Sequence, residues 1–237
     1  MEEWYKEDLA YIHDVGHSDY AIKSAPGILE ILAQNNIRDG LIVDLGCGSG
    51  LSALELTKAH FQIVGVDISE SLIAIARTRV PSAEFRVESL FKIDIPSCSA
   101  VISIGECLNY LFDDGNSCQT LIQLFERIYN ALVPGGVFVF DIAEPGQVIE
   151  GNRVKSFTEG KDWIVLVEKE EDQEKSVLRR RIITLRKIDE YYRRDDELHY
   201  LRLYKAKDIT EQLRQVRFTV ESMSSYGDYK LPQAHVA

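Results

Sequence analysis

Short apolar segments alternate with helical segments between residues 41 and 142. The apolar segments have the length of strands, whereas the segments between them carry the apolar periodicity of amphipathic helices. The predicted strands are 41–45, 61–66, 85–87, 100–104 and 136–142, and the predicted helices are 51–59, 69–79 and 116–132. Strands that are joined by helical crossovers run parallel. The pattern therefore predicts an α/β fold with a doubly wound, mostly parallel sheet, whose ligand lies beyond the carboxyl ends of the strands.

The segments on either side of this core have other patterns. Residues 1–40 predict two helices, the second beginning at Ala25 with Ser24 as its N-cap. β-branched and aromatic residues after position 151 predict an antiparallel sheet, because no helical period separates them. Its predicted strands are 163–167, 177–186 and 191–204, with polar turns at 168–174 and 187–190. A helix at 208–214 and strands at 216–222 and 233–237 are expected to follow.

We predict one domain with four parts. They are a helical lid (1–40), a cofactor-binding core (41–150), an antiparallel insertion that caps the substrate (151–205), and a C-terminal helix with the last strands (206–237). The insertion follows the fifth strand and is therefore expected on the ligand side of the sheet. Its aromatic residues predict an acceptor pocket, a homodimer interface, or only the half-exposed face of an ordinary sheet. These residues are Trp163, Tyr191, Tyr192, His199, Tyr200 and Tyr204, and the tail residues Tyr226 and Tyr229 are candidates for a further wall.

The charge and the cysteine pattern restrict the class of partner. The chain has a formal net charge of −11, and such a surface repels the phosphates that supply most nucleic-acid affinity. No apolar run approaches the roughly 18 residues that span a bilayer, and the acidic amino terminus lacks the features of a signal peptide. The cysteines at 47, 98, 107 and 118 have the wrong spacing for zinc or a disulfide scaffold. We expect a cytoplasmic protein without bound metal that acts on a small molecule.

The strongest local motif is the glycine loop Gly46-Cys47-Gly48-Ser49-Gly50, which follows the first predicted strand and precedes a helix. Glycine tolerates positive φ and lets backbone approach a ligand closely. The alternative is a tight turn that binds nothing. Two acids favour a ligand. Asp67 ends the second predicted strand, where a carboxylate can accept from ribose hydroxyls, although an acid there also suits a helix N-terminus.

Asp44 lies just before the glycine loop, at the mouth of the first predicted strand. A carboxylate there would oppose the pyrophosphate of a dinucleotide but attract a cation. S-adenosylmethionine combines a nucleoside with an ammonium and a sulfonium group. The pair of acids therefore favours S-adenosylmethionine over NAD.

Residues 41–142 resemble the class I S-adenosylmethionine-dependent methyltransferases. The resemblance rests on the glycine loop with Asp44, on Asp67, and on the passage LVPGGVFVF over 132–140. The whole chain, including 104–110 and 140–145, resembles bacterial small-molecule methyltransferases. The resemblance implies a seven-stranded Rossmann-like sheet, S-adenosylmethionine as cofactor, S-adenosylhomocysteine as product, and a small-molecule methyl acceptor. If 233–237 is the family's usual last strand, the chain is expected to stop partway through it.

The resemblance also implies a set of cofactor-binding residues. The loop backbone would line the methionine portion with Asp44 near its ammonium, Asp67 would hold the ribose, and Ile68 would cover the adenine. Ser89 stands where the family usually has an acid for the adenine amino group, so that contact is expected from backbone or from Glu88. The predicted set is Tyr11, Tyr20, Asp44, Gly46, Cys47, Gly48, Asp67, Ile68, Ser89, Leu90, Gly105 and Glu106.

Methyl transfer from a sulfonium is an in-line displacement that depends on alignment, which supplies on the order of 7–11 kcal/mol in favourable cases. A general base is needed only if the acceptor must lose a proton, and the candidates are His13, His17, Glu106 and His199. The alternative for each histidine is a structural role. Glu106 is equally a candidate substrate anchor or cofactor contact.

His13 and His17 lie between Tyr11 and Tyr20 in a segment with no evident core function. We interpret the segment as a lid whose tyrosines offer aromatic faces to a cation or to the substrate. Packing against the sheet edge is the alternative. For the chain as a whole, the alternatives to a methyltransferase are an NAD-dependent oxidoreductase and a non-catalytic nucleoside-binding protein.

Overall fold

A computed structural model describes residues 4–113, 116–149 and 151–237, so residues 1–3 of the predicted lid and residues 114, 115 and 150 of the predicted core lie outside it. Its central element is a five-stranded parallel sheet of order β3-β2-β1-β4-β5. The strands are β1 (Leu41–Leu45), β2 (Gln62–Asp67), β3 (Glu84–Val87), β4 (Cys98–Ser103) and β5 (Leu132–Phe140). The order places later strands on both sides of β1, which confirms the doubly wound α/β fold.

Six helices flank or precede the strands in the described ranges. They are α1 (Glu7–Gly16), α2 (Asp19–Gln34), α3 (Leu51–Lys58), α4 (Glu70–Arg79), α5 (Cys118–Ala131) and α6 (Ala206–Gln215), with a 3₁₀ turn at Cys107–Asn109. Buried apolar residues of β1 and β4 pack on both faces of the sheet, against α5 and α6 on one side and α2, α3 and α4 on the other. None of the helices described is long and apolar enough to cross a membrane.

The predicted count of seven strands is not reached in the described part of the chain. Beyond β5, the short strand β6 (Ile142–Ala143) pairs antiparallel with β13 (His235–Val236). The strand predicted at 233–237 is therefore present, but it is short. The strand predicted at 216–222 is wrong, since Arg217 takes a positive φ of 78° and the residues after it form coil. Phe218 instead packs its ring on Tyr129, which accounts for the apolar pattern without a strand.

The second helix begins earlier than predicted. α2 starts at Asp19 and continues through Pro26, so Ser24 is not an N-cap and its hydroxyl donates to the carbonyl of Tyr20. Proline is favoured in the first turn, which explains the wrong prediction. Close packing against α2 depends on Gly27. A Cβ on Gly27 would lie 2.2 Å from the backbone of Tyr226, in the hairpin of β11 (Ser225–Tyr226) and β12 (Tyr229–Lys230).

The insertion is a four-stranded antiparallel sheet of order β10-β9-β8-β7. Its strands are β7 (Val154–Glu159), β8 (Trp163–Asp172), β9 (Val177–Ile188) and β10 (Tyr191–Arg202). The polar turn predicted at 168–174 is mostly strand, because Glu168 and Glu170 lie opposite Arg181 and Arg179 of β9. Opposite charges across a ladder stabilise a strand that composition alone assigns to a turn.

Helix α1 joins the two sheets. Leu9 and Ile12 of α1 are buried with Trp163, Val165 and Ile182 of the antiparallel sheet. The same helix also contacts α4 of the parallel layer. This arrangement leaves a space between the carboxyl ends of the parallel strands and the antiparallel sheet.

Candidate active site

A cavity of about 730 Å³ occupies this space. The parallel layer contributes the glycine loop and the residues that follow β2, β3 and β4. Helices α1 and α2 and the turn between them contribute His13, Tyr20 and His17, and the tail contributes Tyr229 and His235. The antiparallel sheet contributes Val165, Val167, Lys169, Arg180 and Ile182. We call the part formed by Gly48, Asp67, Ile68, Ser89 and Asp113 the loop end, and the part formed by Glu106, Lys169, Arg180 and His235 the sheet end.

The three loop glycines serve different purposes. Gly46 has a φ of +84°, and a Cβ there would lie 2.5 Å from the Cys107 sulfur. A Cβ on Gly50 would lie 3.1 Å from the Cβ of Ala76, which is a tight contact but a milder one. A Cβ on Gly48, by contrast, would have no described atom within 4 Å. Only Gly48 therefore leaves open space of the kind a ligand can occupy, and the other two allow close packing.

Asp67 is held at the floor of the loop end. Its Oδ2 accepts from the Gly48 N–H at 2.9 Å and its Oδ1 from the Ser69 N–H at 2.9 Å. Burial raises the pKa of Asp67, and the backbone donors oppose that shift. Each carboxylate oxygen keeps a further lone pair. The arrangement is suited to accept from two vicinal hydroxyl groups.

Asp44 lies beneath the glycine loop rather than in the cavity lining. Its residue is 2% exposed, and its Oδ2 has no hydrogen-bond partner among the described residues. Burial and the neighbouring charge of Asp67 raise the pKa of Asp44 to about 7. A buried polar atom without a partner is costly. An ammonium group in the loop would relieve that cost, so Asp44 and the open space at Gly48 fit S-adenosylmethionine.

An acid lies beside Ser89, but it comes from another segment of the chain. Ser89 donates from its hydroxyl to Asp113 Oδ2 at 2.6 Å, and Asp113 lines the cavity beside the apolar residues Ile68 and Leu90. Glu88, the predicted substitute, lies outside this lining. Asp113 follows the 3₁₀ turn and is not next to β3 in sequence, which is why sequence reasoning missed it.

Glu106 organises the sheet end. Its carboxylate forms a two-fold ion pair with the Arg180 guanidinium, with Nη2 to Oε2 at 2.9 Å, and His235 Nε2 lies 3.1 Å from Oε2. Burial opposes ionisation of Glu106, but Arg180 and His235 outweigh it and lower the pKa of Glu106 to about 2. At neutral pH, Glu106 is therefore a fixed anion, which disfavours its use as a general base and favours a role in holding Arg180 in place.

The backbone around Glu106 is held by Asp141, which follows β5. The Asp141 carboxylate accepts from the N–H of Gly105 at 2.9 Å and from that of Glu106 at 2.6 Å. It also accepts from the Tyr226 hydroxyl at 3.1 Å. Glu106 itself has a positive φ of 57°. The donors to Asp141 stabilise this unfavourable conformation, which turns the Glu106 side chain toward Arg180.

The predicted histidines separate into two groups. His13 and His17 line the cavity. Burial, and then the neighbouring His17, lower the pKa of His13 to about 4, and burial also lowers the pKa of His17. Both are therefore mainly neutral at pH 7. His199 is fully buried outside the cavity lining, with Nε2 2.8 Å from Glu197, which also accepts from the backbone of Tyr5. Its position is that of a structural residue.

Of the other predicted residues, Tyr20 lines the cavity and several lie away from it. Tyr11 lies under the Arg186 guanidinium, 3.5 Å from its ring centroid, rather than over the cavity. Tyr20 does line the cavity, and burial and Asp141 raise its pKa. Cys47 of the glycine loop is buried and does not line the cavity. The aromatic residues proposed for an acceptor pocket lie in core or on the surface, since Trp163 and Tyr204 are buried and Tyr191, Tyr192 and Tyr200 are exposed.

The sheet end contains residues that sequence reasoning did not select. Lys169, Arg180 and His235 line the cavity together with Tyr5 and Tyr110, whose hydroxyls lie 3.0 Å apart. A signal for Arg180 exists. Strand β9 alternates buried and half-buried residues, and Arg180 is in phase with the buried residues Leu178 and Ile182. An arginine on the apolar face of a strand indicates a buried anionic partner.

Comparisons with known proteins bear on the family of the chain. Residues 42–136 match the family model described as a methyltransferase domain. A protein of Geobacillus sp. (strain WCH70) that is named as a methyltransferase is 28% identical over 186 residues, covering 76% of this chain and 74% of that protein. The trans-aconitate 2-methyltransferase of Sinorhizobium medicae is 33% identical over 119 residues, which cover 48% of this chain and 43% of that protein.

Among solved structures, an S-adenosylmethionine-dependent methyltransferase from Clostridium acetobutylicum superposes with a TM-score of 0.80 at 20% identity. The superposition covers 98% of this chain and 96% of that chain. The likeness at this level of identity shows a shared fold.

Proposed function

We propose that the chain, which is a class I S-adenosylmethionine-dependent methyltransferase, methylates a small molecule held at the sheet end of the cavity. The observation that carries the proposal is the continuity of the two ends. Asp67 and Gly48 of the loop end line the same cavity as Glu106 and Arg180 of the sheet end. A cofactor and an acceptor bound in one cavity can be aligned for in-line transfer.

The loop end is where the chain would hold the cofactor. Asp67 would accept from the ribose hydroxyls, Asp113 would accept from the adenine amino group, and Asp44 would face the ammonium through the open loop. When bound, S-adenosylmethionine supplies a methyl group on a sulfonium that is already activated. The protein residues therefore need to bind, orient and exclude water.

The sheet end would orient the acceptor. Glu106 and Arg180 fix each other, so neither side chain is free to reorient. His13 and His17 are mainly neutral at pH 7, and neutral rings near a cation avoid charge repulsion. The Nδ1 atom of His13 is buried and has no hydrogen-bond partner among the residues described. We assign His13 the task of accepting a proton if the acceptor must lose one.

A small acceptor suits the cavity and the charge of the chain. The volume of about 730 Å³ lies within the usual range of small-molecule sites. The net charge of −11 disfavours nucleic acid. The trans-aconitate relative is named for a small-molecule substrate. All four cysteines are free thiols, which is compatible with the predicted cytoplasmic location. The four-part division of the chain and a homodimer stay predictions.

Calorimetry with S-adenosylhomocysteine and with NADH tests the cofactor assignment. We expect micromolar binding of S-adenosylhomocysteine and none of NADH. The reverse result would overturn the proposal in favour of an oxidoreductase. A screen of small acceptors that measures S-adenosylhomocysteine release then tests turnover. Release with an acceptor in wild-type protein, and its loss in Asp67→Ala, is expected of an enzyme and excludes a merely nucleoside-binding protein.

A further inference from the structure

Two cationic side chains lie next to each other on adjacent strands of the antiparallel sheet, on the face that lines the cavity. Lys169 of β8 is the direct cross-strand partner of Arg180 of β9. Both residues line the cavity, and so do Val165 and Val167, which share the strand face of Lys169. Like charges directly opposite each other destabilise a sheet. Such a pair is therefore expected to have anionic partners.

Glu106 forms an ion pair with only one of the two cations. Both terminal nitrogens of Arg180 are engaged by the Glu106 carboxylate. No carboxylate in the described ranges lies within ion-pair distance of the Lys169 ammonium, although Lys169 is only half-exposed. Burial, and then the neighbouring Arg180, lower the pKa of Lys169, and the charge of Glu106 opposes that shift only in part. Lys169 therefore has no ion-pair partner of its own among the described residues.

A second observation concerns the Arg180 side chain itself. The residue is 8% exposed, and its Nε has no hydrogen-bond acceptor among the residues that the structure describes. A buried guanidinium N–H without an acceptor costs free energy. His235 adds a donor beside the same carboxylate, at 3.1 Å from Glu106 Oε2. The sheet end thus offers more donors and more positive charge than its one carboxylate satisfies.

We propose that Lys169, beside Arg180, binds an oxyanion group of the methyl acceptor, a carboxylate or a phosphate. The inference rests on the proposed function, in which the sheet end holds the acceptor. The acceptor is then a small acid whose anionic group is fixed by the insertion while its nucleophile points to the loop end. Glu106 acts as a positioning residue, because it holds Arg180 in place without contacting the acceptor.

The carboxylate of the cofactor is the other possible source of the same oxyanion chemistry. The test therefore uses full-length protein saturated with S-adenosylhomocysteine, and the probes are acetate, succinate, citrate and inorganic phosphate. Binding is measured by calorimetry for wild-type protein, Lys169→Gln and Lys169→Arg. The matched control is Lys187→Gln, which removes the same charge from an exposed position of β9.

We expect at least one probe to bind wild-type protein. Its affinity for Lys169→Gln should be at least about tenfold lower, and its affinity for Lys169→Arg should return toward that for wild-type protein. The affinity for S-adenosylhomocysteine should be unchanged in all variants, which also shows that they are folded. Equal weakening in Lys187→Gln, or no binding of any probe to wild-type protein, overturns the inference. A parallel loss of S-adenosylhomocysteine affinity in Lys169→Gln overturns it too, since it assigns Lys169 to the cofactor. Failure of wild-type protein to bind S-adenosylhomocysteine is a distinct result that overturns the proposed function itself.

Discussion

The two ends of the cavity are built by different means. The loop end depends on backbone groups close together in the parallel layer, such as the Gly48 and Ser69 N–H groups that hold Asp67. The sheet end depends on side chains from distant segments, such as Glu106, Arg180 and His235. Backbone geometry changes little when side chains are substituted, whereas an ion-pair network changes with each member. We therefore expect the loop end to be most sensitive to substitution of its glycines. The sheet end should be most sensitive to substitution of its charged residues.

The largest effect is expected where a charge of the sheet end is removed. Glu106→Gln leaves the buried Arg180 guanidinium without its anion, and breaking a buried pair costs about 3–5 kcal/mol. Urea denaturation should show this loss in the free energy of unfolding. Asp196→Asn, which breaks an exposed pair with Arg181, is the control and should cost about 0–1 kcal/mol. Similar losses in both variants would contradict a network that depends on burial.

In the glycine loop, substitution of Gly46 should destabilise the protein more than substitution of Gly48. Gly46→Ala forces a Cβ into the Cys107 sulfur at positive φ, and we expect a loss of roughly 2–4 kcal/mol in unfolding free energy. Gly48→Ala shares the positive φ without the clash, so its stability loss should be about 1–2 kcal/mol. The double variant Gly46→Ala with Cys107→Ala should recover part of the first loss. Equal destabilisation by both single variants would refute the packing explanation.

Asp67→Asn should weaken ligand binding at the loop end without affecting binding at the sheet end. It keeps the shape of the side chain but weakens acceptance from hydroxyl groups, so the affinity for S-adenosylhomocysteine should fall about tenfold or more. The affinity for oxyanion probes at the sheet end should stay the same. Calorimetry on the same protein measures both. A loss of probe binding as large as the loss of nucleoside binding would show that the ends are not independent.

The last effect concerns pH. The pKa of Asp44 is raised to about 7 in the folded protein, whereas an unfolded aspartate ionises near 4. The protonated form is thus favoured by folding, and stability without ligand should fall as pH rises from about 4 to 7 and then level off. S-adenosylhomocysteine binding needs the ionised form opposite its ammonium, so its affinity should rise about tenfold between pH 6 and 8. Asp44→Asn should flatten both profiles; unchanged slopes would remove Asp44 from the ammonium site.

The same contrast explains what the sequence could predict. Strand and helix periodicity revealed the parallel sheet, and the glycine loop with Asp67 located the loop end. The contacts between segments that are distant in the sequence could not be predicted, because the β8–β9 register and the position of His235 depend on tertiary contacts. Composition misplaced the strand at 216–222, because the ring of Phe218 packs on Tyr129 without a strand. The preference of proline for the first turn misplaced the start of α2, which continues through Pro26. Tyr11 was assigned to the lid by its neighbours in sequence, although its ring faces Arg186.

Asp141 connects segments that are far apart in the sequence. One carboxylate joins the turn after β4, the chain after β5 and the hairpin at Tyr226. A disturbance of that hairpin, which lies far from the glycine loop in sequence, would be transmitted to the backbone of Glu106 through this single junction. Substrate preference could therefore drift through changes in a peripheral hairpin while the nucleotide-facing half of the molecule stayed as it is.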